Sequence, residues 1–287
     1  VSELKITVWK RYGHDRLYVN LPNGVAVAFL DRHTGEVTIL RDEYRTAATQ
    51  ALVQYLPSAD PPAPPPRPPA PSRPAPRPLP ELGREDDLAL REPGKALRDK
   101  LRDEGPGPAE RFLDLLLRRE TEWDSWRKGL AGEKRVGREL RRLSADGWFV
   151  LHSVPLPRDV DIDHLLIGPG GVFSINTKRH PDKDVWVGDD VVKVDHGKPQ
   201  PYLRKSRAEA RRVRRVLERY CGFEVPVTPV LVFVDIRHLD KVPTLLDVRV
   251  YEERAVSALA PLRGVLRPEQ VRQLYEIARR KPVWENA

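Results

Sequence analysis

From Leu4 to Trp9 apolar and polar residues alternate, and Leu17 and Val19 keep that period of two up to the turn signal Pro22-Asn23-Gly24. An apolar run, Val25 to Leu30, leads through Thr34-Gly35 into Val37 to Leu40. Three or four short strands are expected here, followed by a helix from Glu43 to Tyr55. The pattern then lapses. Pro57 to Pro80 is built from Pro, Ala and Arg, and Glu81 to Asp103 is charged and broken by Pro93-Gly94. A polyproline spacer and then a mobile charged stretch are expected. Helical spacing begins with Phe112, Leu113, Leu116 and Leu117, which predicts a brace helix, and resumes from Gly132 to Ala145 with Val136, Leu140 and Leu143. Strands follow at Trp148 to Leu156, twice within Val160 to Lys178, as a pair within Val185 to Val194, at Val227 to Asp235 and at Val248 to Tyr251. Helices are expected at Leu203 to Tyr220, Glu253 to Leu259 and Pro268 to Arg280. This order predicts a mixed α/β sheet with flanking helices, with the almost wholly apolar Val227 to Asp235 strand buried inside it.

Composition sharpens the division. The 29 prolines among 287 residues exceed what one fold takes up, so three parts are expected: a small β-rich domain at 1–56, a linker at 57–108 and an α/β domain at 109–287. Fifty-six residues bury only a modest core, which points to a protein partner or self-association through residues 1–56. The single cysteine, Cys221, leaves no internal disulfide and favours a reducing, cytoplasmic setting. No apolar run reaches the ~20 residues of a membrane helix, and the first residues lack a signal-peptide core. With no Met even at position 1, a non-ATG start or a trimmed terminus is expected.

The formal charge of +8 is concentrated. Between Leu203 and Tyr220, Arg204, Lys205, Arg207, Arg211, Arg212, Arg214, Arg215 and Arg219 meet only Glu209 and Glu218, a formal +6. Leu203, Ala210, Val213, Leu217 and Tyr220 make the inward stripe. So few acids leave no intrahelical salt-bridge ladder to explain the outward face, and a phosphate-tracking surface accounts for it better.

Candidate chemistry gathers around VDIDHLLIGPGGVFSINTK, residues 160–178. Asp161 and Asp163 share one face of a strand, as do Asn176 and Lys178 on the next. Antiparallel pairing through Gly168-Pro169-Gly170-Gly171 would bring these ends together. Hard oxygen ligands of this kind suit Mg²⁺ or Mn²⁺, and a lysine beside them can stabilise developing charge. Glu133, three residues before Val136, falls on the buried side of its helix, where a carboxylate needs a partner. A plain helix-dipole role for Glu133, and a solvated, salt-bridged hairpin end, are the competing readings. Nothing fits a nucleophilic triad, a phosphate-binding loop, a dinucleotide fingerprint or a zinc site.

Gly132-Glu133, Asp161-Ile162-Asp163-His164, Ile167 to Phe173 and Thr177-Lys178 together resemble the nuclease-related domain, NERD, of the PD-(D/E)XK nuclease superfamily, over about residues 126–235. The resemblance implies a restriction-endonuclease-like core, with Glu133 as the helix acid, Asp163 as the central metal ligand, Asn176 at the (D/E) position and Lys178 as the catalytic lysine. Asn176 departs from that pattern, being neutral where Asp or Glu is usual. Gln200 resembles a polar residue found near the site in such chains, and His152, His164 and His180 are expected to pack or hydrogen-bond. The expectation is a metal-dependent nuclease acting on DNA, or on RNA, with Lys178, Asp163 and Glu133 catalytic and Asp163, Asn176, Glu133 and Asp161 around a divalent cation. Nucleic acid would lie along Arg204, Lys205, Arg207, Arg211, Arg212, Arg214 and Arg215. The rivals are a catalytically impaired nucleic-acid-binding module and a scaffold that binds a partner through residues 1–56.

Overall fold

The computed structural model describes residues 4–11, 14–56, 75–105, 122–157 and 160–287. They fall into two units, Val1–Ser72 and Arg73–Ala287. In the first, β1 (Lys5–Arg11), β2 (His14–Asn20), β3 (Ala26–Asp31) and β4 (Val37–Ile39) form an antiparallel sheet in chain order. Alternation decides its faces. Leu17, Val19 and Leu30 pack with Ala48 and Leu52 of α1 (Arg45–Leu52), while Tyr18 leans on Phe29 and meets Trp9 edge-on. The Trp9 ring is thus a packing residue.

In the second unit, β5 (Phe149–Leu156), β6 (Val160–Gly168), β7 (Gly171–Arg179), β10 (Val227–Val234) and β12 (Arg249–Glu252) build a five-stranded sheet in the order β12-β10-β7-β6-β5. The three strands from β12 to β7 run parallel, and β7, β6 and β5 alternate in direction. Buried on both faces, β10 explains its apolar run: Val230, Val232 and Val234 pack with Val136 and Leu140 of α3 (Glu122–Arg142), while Leu231 and Phe233 pack with Leu203 of α4 (Tyr202–Cys221). Among the described residues the other helical elements of this unit are α2 (Lys95–Asp103), α5 (Pro268–Ala278) and 3-10 turns, including Glu253–Leu259 where a helix was expected. β8 (Asp184–Val187) and β9 (Val192–Val194) form the expected hairpin, but in a separate sheet with β11 (His238–Lys241). Strand β11, with the sequence HLDK and little burial, carries no periodic signal.

The expectation of a mobile stretch at 81–103 is overturned. Leu88 is fully buried among Leu151, Val154 and Ile162, its N–H donates to the Arg279 carbonyl at 2.7 Å, and Arg279 grips the Asp87 carboxylate with both Nε, at 3.0 Å, and Nη2. Pro93-Gly94, read as a break, is a packed corner. Gly94 sits at φ +73° with Leu130 where a Cβ would be, a conformation that only glycine adopts without strain. The Phe112–Leu117 brace lies outside the described residues.

The Arg279 pairing holds the Asp87 carboxyl below its usual range, with the backbone N–H of Ala89 helping. A folded-state pKa below the unfolded ~3.9 stabilises the fold above that pH and ceases to do so as pH falls through the folded value. Asp87→Asn is therefore expected to lower the melting temperature at pH 7, with the gap from the parent closing toward pH 3. A gap independent of pH would rule out the ionic contribution.

Candidate metal centre

Strands β6 and β7 pair only from His164↔Ile175 to Gly168↔Gly171. One residue beyond that ladder, Asp163 swings its carboxylate across the gap and accepts the Thr177 N–H at 2.6 Å. Meanwhile β6 stays paired to β5 as far as Leu156↔Val160. The sheet therefore forks where the sequence changes from apolar to Asp, Asn and Lys. Helix α3 presses against the fork. A Cβ on Gly132 would lie 3.2 Å from Thr177 Cγ2 and 3.3 Å from Arg179 Cβ, and this closeness carries the next residue, Glu133, inward to 5% exposure. The helix starts at Glu122, eleven residues earlier, so Glu133 is a mid-helix acid and the dipole reading falls away.

Glu133, Asp161 and Asp163 each bring one carboxylate oxygen within 4.8 Å of the others. Glu133 Oε2 and Asp161 Oδ2 are buried without a hydrogen-bond partner, which is costly for a carboxylate. Burial pushes the Glu133 carboxyl up to about 10, with the charges of Asp163 and Asp161 adding to it. Burial and Asp163 push Asp161 up to about 7. Asp163 is also raised by burial, against the pull of Lys178. Three crowded acids with two orphaned oxygens form a hard, all-oxygen donor set that suits a divalent cation.

Residues upstream of the fork complete it. The backbone N–H of Gly94 works against the rise at Glu133, and Arg91, anchored on the Ser153 carbonyl at 2.8 Å, brings its charge to bear on Asp161.

On β7, Lys178 Nζ donates to Asn176 Oδ1 at 2.8 Å and to the Thr177 carbonyl at 3.0 Å, and lies 5.6 Å from the Tyr202 ring centre. Asn176 Nδ2 donates to Glu209 Oε2 at 2.8 Å, and Ser174 Oγ to Glu209 Oε1. Burial pushes the Glu209 carboxyl up to about 7 against these two hydrogen bonds. In the sequence Glu209 stands out only as an acid on a basic helix, and its place beside Asn176 went unread. A signal existed: it stands three after the buried Ser206 and four before the buried Val213, on the flank of the inward stripe.

The structure thus brings Glu133, Asp161, Asp163, Asn176 and Lys178 together. Gln200 is not among them, for its amide donates to the Lys198 carbonyl and its backbone pairs with Val192. His152 and His164 face each other across β5 and β6 with Nδ1 atoms 2.8 Å apart, both buried; burial lowers both, His152 to about 4. His180 stacks on Tyr202, and Cys221 is buried. Along α4, Arg204, Lys205, Arg211 and Arg215 are exposed. Arg207 turns instead to Asp190 and Asp247 at 3.1 and 2.6 Å, with its side chain only 17% exposed. Arg214 pairs with Glu218 and Glu224, and Arg212 is half-buried.

The acids, with a lysine beside them, thus stand at the fork of a mixed sheet in an α/β domain. Residues 128–234 match the family model of the nuclease-related domain, NERD, and that span contains the three acids, Asn176 and Lys178. An uncharacterized protein of Bacillus anthracis is 40% identical over 57 residues, which are 18% of this chain and 27% of that protein. The chain thus spans about a quarter of that relative's length. No solved structure matches. Among the described residues no helix is long and apolar enough to cross a membrane.

Proposed function

We propose that the domain is a Mg²⁺- or Mn²⁺-dependent nuclease that hydrolyses phosphodiester bonds in DNA, with RNA as the second substrate to test. The observation that carries this reading is the Glu133–Asp161–Asp163 cluster, with its two orphaned buried oxygens, next to Lys178. Glu133, Asp161 and Asp163, with Asn176 Oδ1, would hold the cation, which when bound supplies Lewis-acid stabilisation of the negative charge on a phosphodiester. The Thr177 N–H fixes the Asp163 carboxylate. The Lys178 ammonium, tethered by Asn176 and Thr177, is placed to stabilise charge developing on a phosphate oxygen and to orient an attacking water.

Labelled duplex DNA, single-stranded DNA and RNA, each incubated with the protein and Mg²⁺ or Mn²⁺, test the proposal. Cleavage is expected, and it should vanish on chelation and in Asp163→Asn and Lys178→Ala. Cleavage that survives both substitutions would overturn the assignment. The neutral Asn176 supports a second reading, a nucleic-acid-binding module without turnover, which predicts salt-sensitive binding and no product under any of these conditions.

Both readings draw on the exposed face of α4. Replacing Arg204, Lys205, Arg211 and Arg215 with Gln is expected to weaken DNA binding and to flatten its dependence on log salt by up to ~4, about one for each phosphate no longer neutralised. An unchanged salt slope would show that nucleic acid runs elsewhere.

A further inference from the structure

The two ends of the Asn176 amide meet groups of opposite character. Its oxygen accepts from the Lys178 ammonium at 2.8 Å, and its nitrogen donates to Glu209 Oε2 at 2.8 Å. An ammonium can only donate. Turned over, the amide would set N–H against ammonium and oxygen against carboxylate, so both interactions would become repulsive. Glu209 is itself pinned from β7, because the Ser174 hydroxyl donates to its other oxygen. Ser174 is fully buried, so this anchor moves little. Glu209 also comes from a different element, α4, so the amide is held from outside its own strand.

We propose that Glu209 is a positioning residue that locks the Asn176 amide with its oxygen toward Lys178 and the acid cluster. Helix and strand then act in series: Ser174 sets Glu209, Glu209 sets Asn176, and Asn176 sets the Lys178 ammonium. The neutral residue at 176 can thereby present a fixed oxygen, directed by an acid on helix α4 and not by a charge of its own. As far as cation binding is concerned this rests on the proposed metal centre; the orientation of the amide does not.

Substitution separates orientation from charge. In Glu209→Gln, the new side-chain oxygen still accepts from Asn176 Nδ2 and its nitrogen can donate to Ser174 Oγ, so the amide keeps its direction without the charge. Glu209→Ala removes both. In metal-free protein, the Asn176 side-chain NH₂ signals in a ¹⁵N–¹H spectrum should be shifted and slow to exchange in the parent and in Glu209→Gln, and averaged in Glu209→Ala. In calorimetric titration with Mn²⁺, Glu209→Ala should bind about tenfold more weakly than the parent, in the range typical for loss of a group that orients a ligand. Glu209→Gln should stay within about twofold of the parent, a narrower margin than that range. Asn176→Asp alone sets acid against acid and should bind Mn²⁺ no better than the parent, whereas Asn176→Asp with Glu209→Gln should bind more tightly.

Amide signals unchanged in Glu209→Ala would overturn the proposal, as would Glu209→Gln binding as weakly as Glu209→Ala. If the parent binds no Mn²⁺, the metal-centre reading falls and the metal-free amide signals decide the positioning role alone.

Discussion

Cut to begin at residue 109, the α/β domain is expected to melt at least ~10 °C below the same domain begun at residue 75, or to fail to fold. Three separate losses lead there. Leu88 leaves a hole between β5 and the C-terminal helices, and truncation of one such leucine alone costs about 2–5 kcal/mol. Arg279 loses the Asp87 carboxylate that both ends of its guanidinium hold. The buried Glu133 carboxyl loses the favourable influence of the Gly94 N–H. Against a typical domain stability of about 5–15 kcal/mol, and with ~2–4 °C per kcal/mol at this size, the sum is severe. Thermal unfolding of the two versions side by side is the measurement. Equal melting temperatures would mean that residues 75–105 are ornamental.

Mn²⁺ at about 100 times its dissociation constant is expected to raise the melting temperature of the full chain by ~5–10 °C, since binding to the folded state alone is then worth about 2.7 kcal/mol. Asp163→Asn should abolish that response. The same variant, free of metal, should melt above the metal-free parent. Asn keeps an oxygen for the Thr177 N–H while removing one of three carboxyl groups that burial and mutual repulsion work against. Gain without metal and loss with it is the signature of a site that holds strain for a ligand. If Mn²⁺ leaves the parent's transition unmoved, the cluster is not a cation site.

What the sequence disclosed depended on how local the signal was. The β6–β7 hairpin announces itself because alternation, glycines and polar ends fall within nineteen residues, and antiparallel pairing through the glycine turn brings the Asp161–Asp163 and Asn176–Lys178 ends together. The fork cannot be read that way, because it depends on Asp163 taking the Thr177 N–H in place of a ladder bond. Glu209 hides among arginines, and its bonds with Asn176 and Ser174 span 33 and 35 positions. Asp87 and Leu88 are hidden further still. Asp87 finds Arg279 192 positions away, and Leu88-Ala89-Leu90, three apolar residues between charged ones, is too short to show a period. Long-range pairing of single residues leaves no local trace.

That same pairing sets a schedule. Pro80, Asp87 and Leu88 are bonded to Arg279 and Arg280, so on a ribosome adding ~5–20 residues per second the first strap of the domain waits on the order of 10–40 s for its partner to be made. Until then the Leu88 N–H lacks the Arg279 carbonyl that it donates to in the folded domain. Closure of this strap is therefore a late event in synthesis, after the chain has passed residue 280.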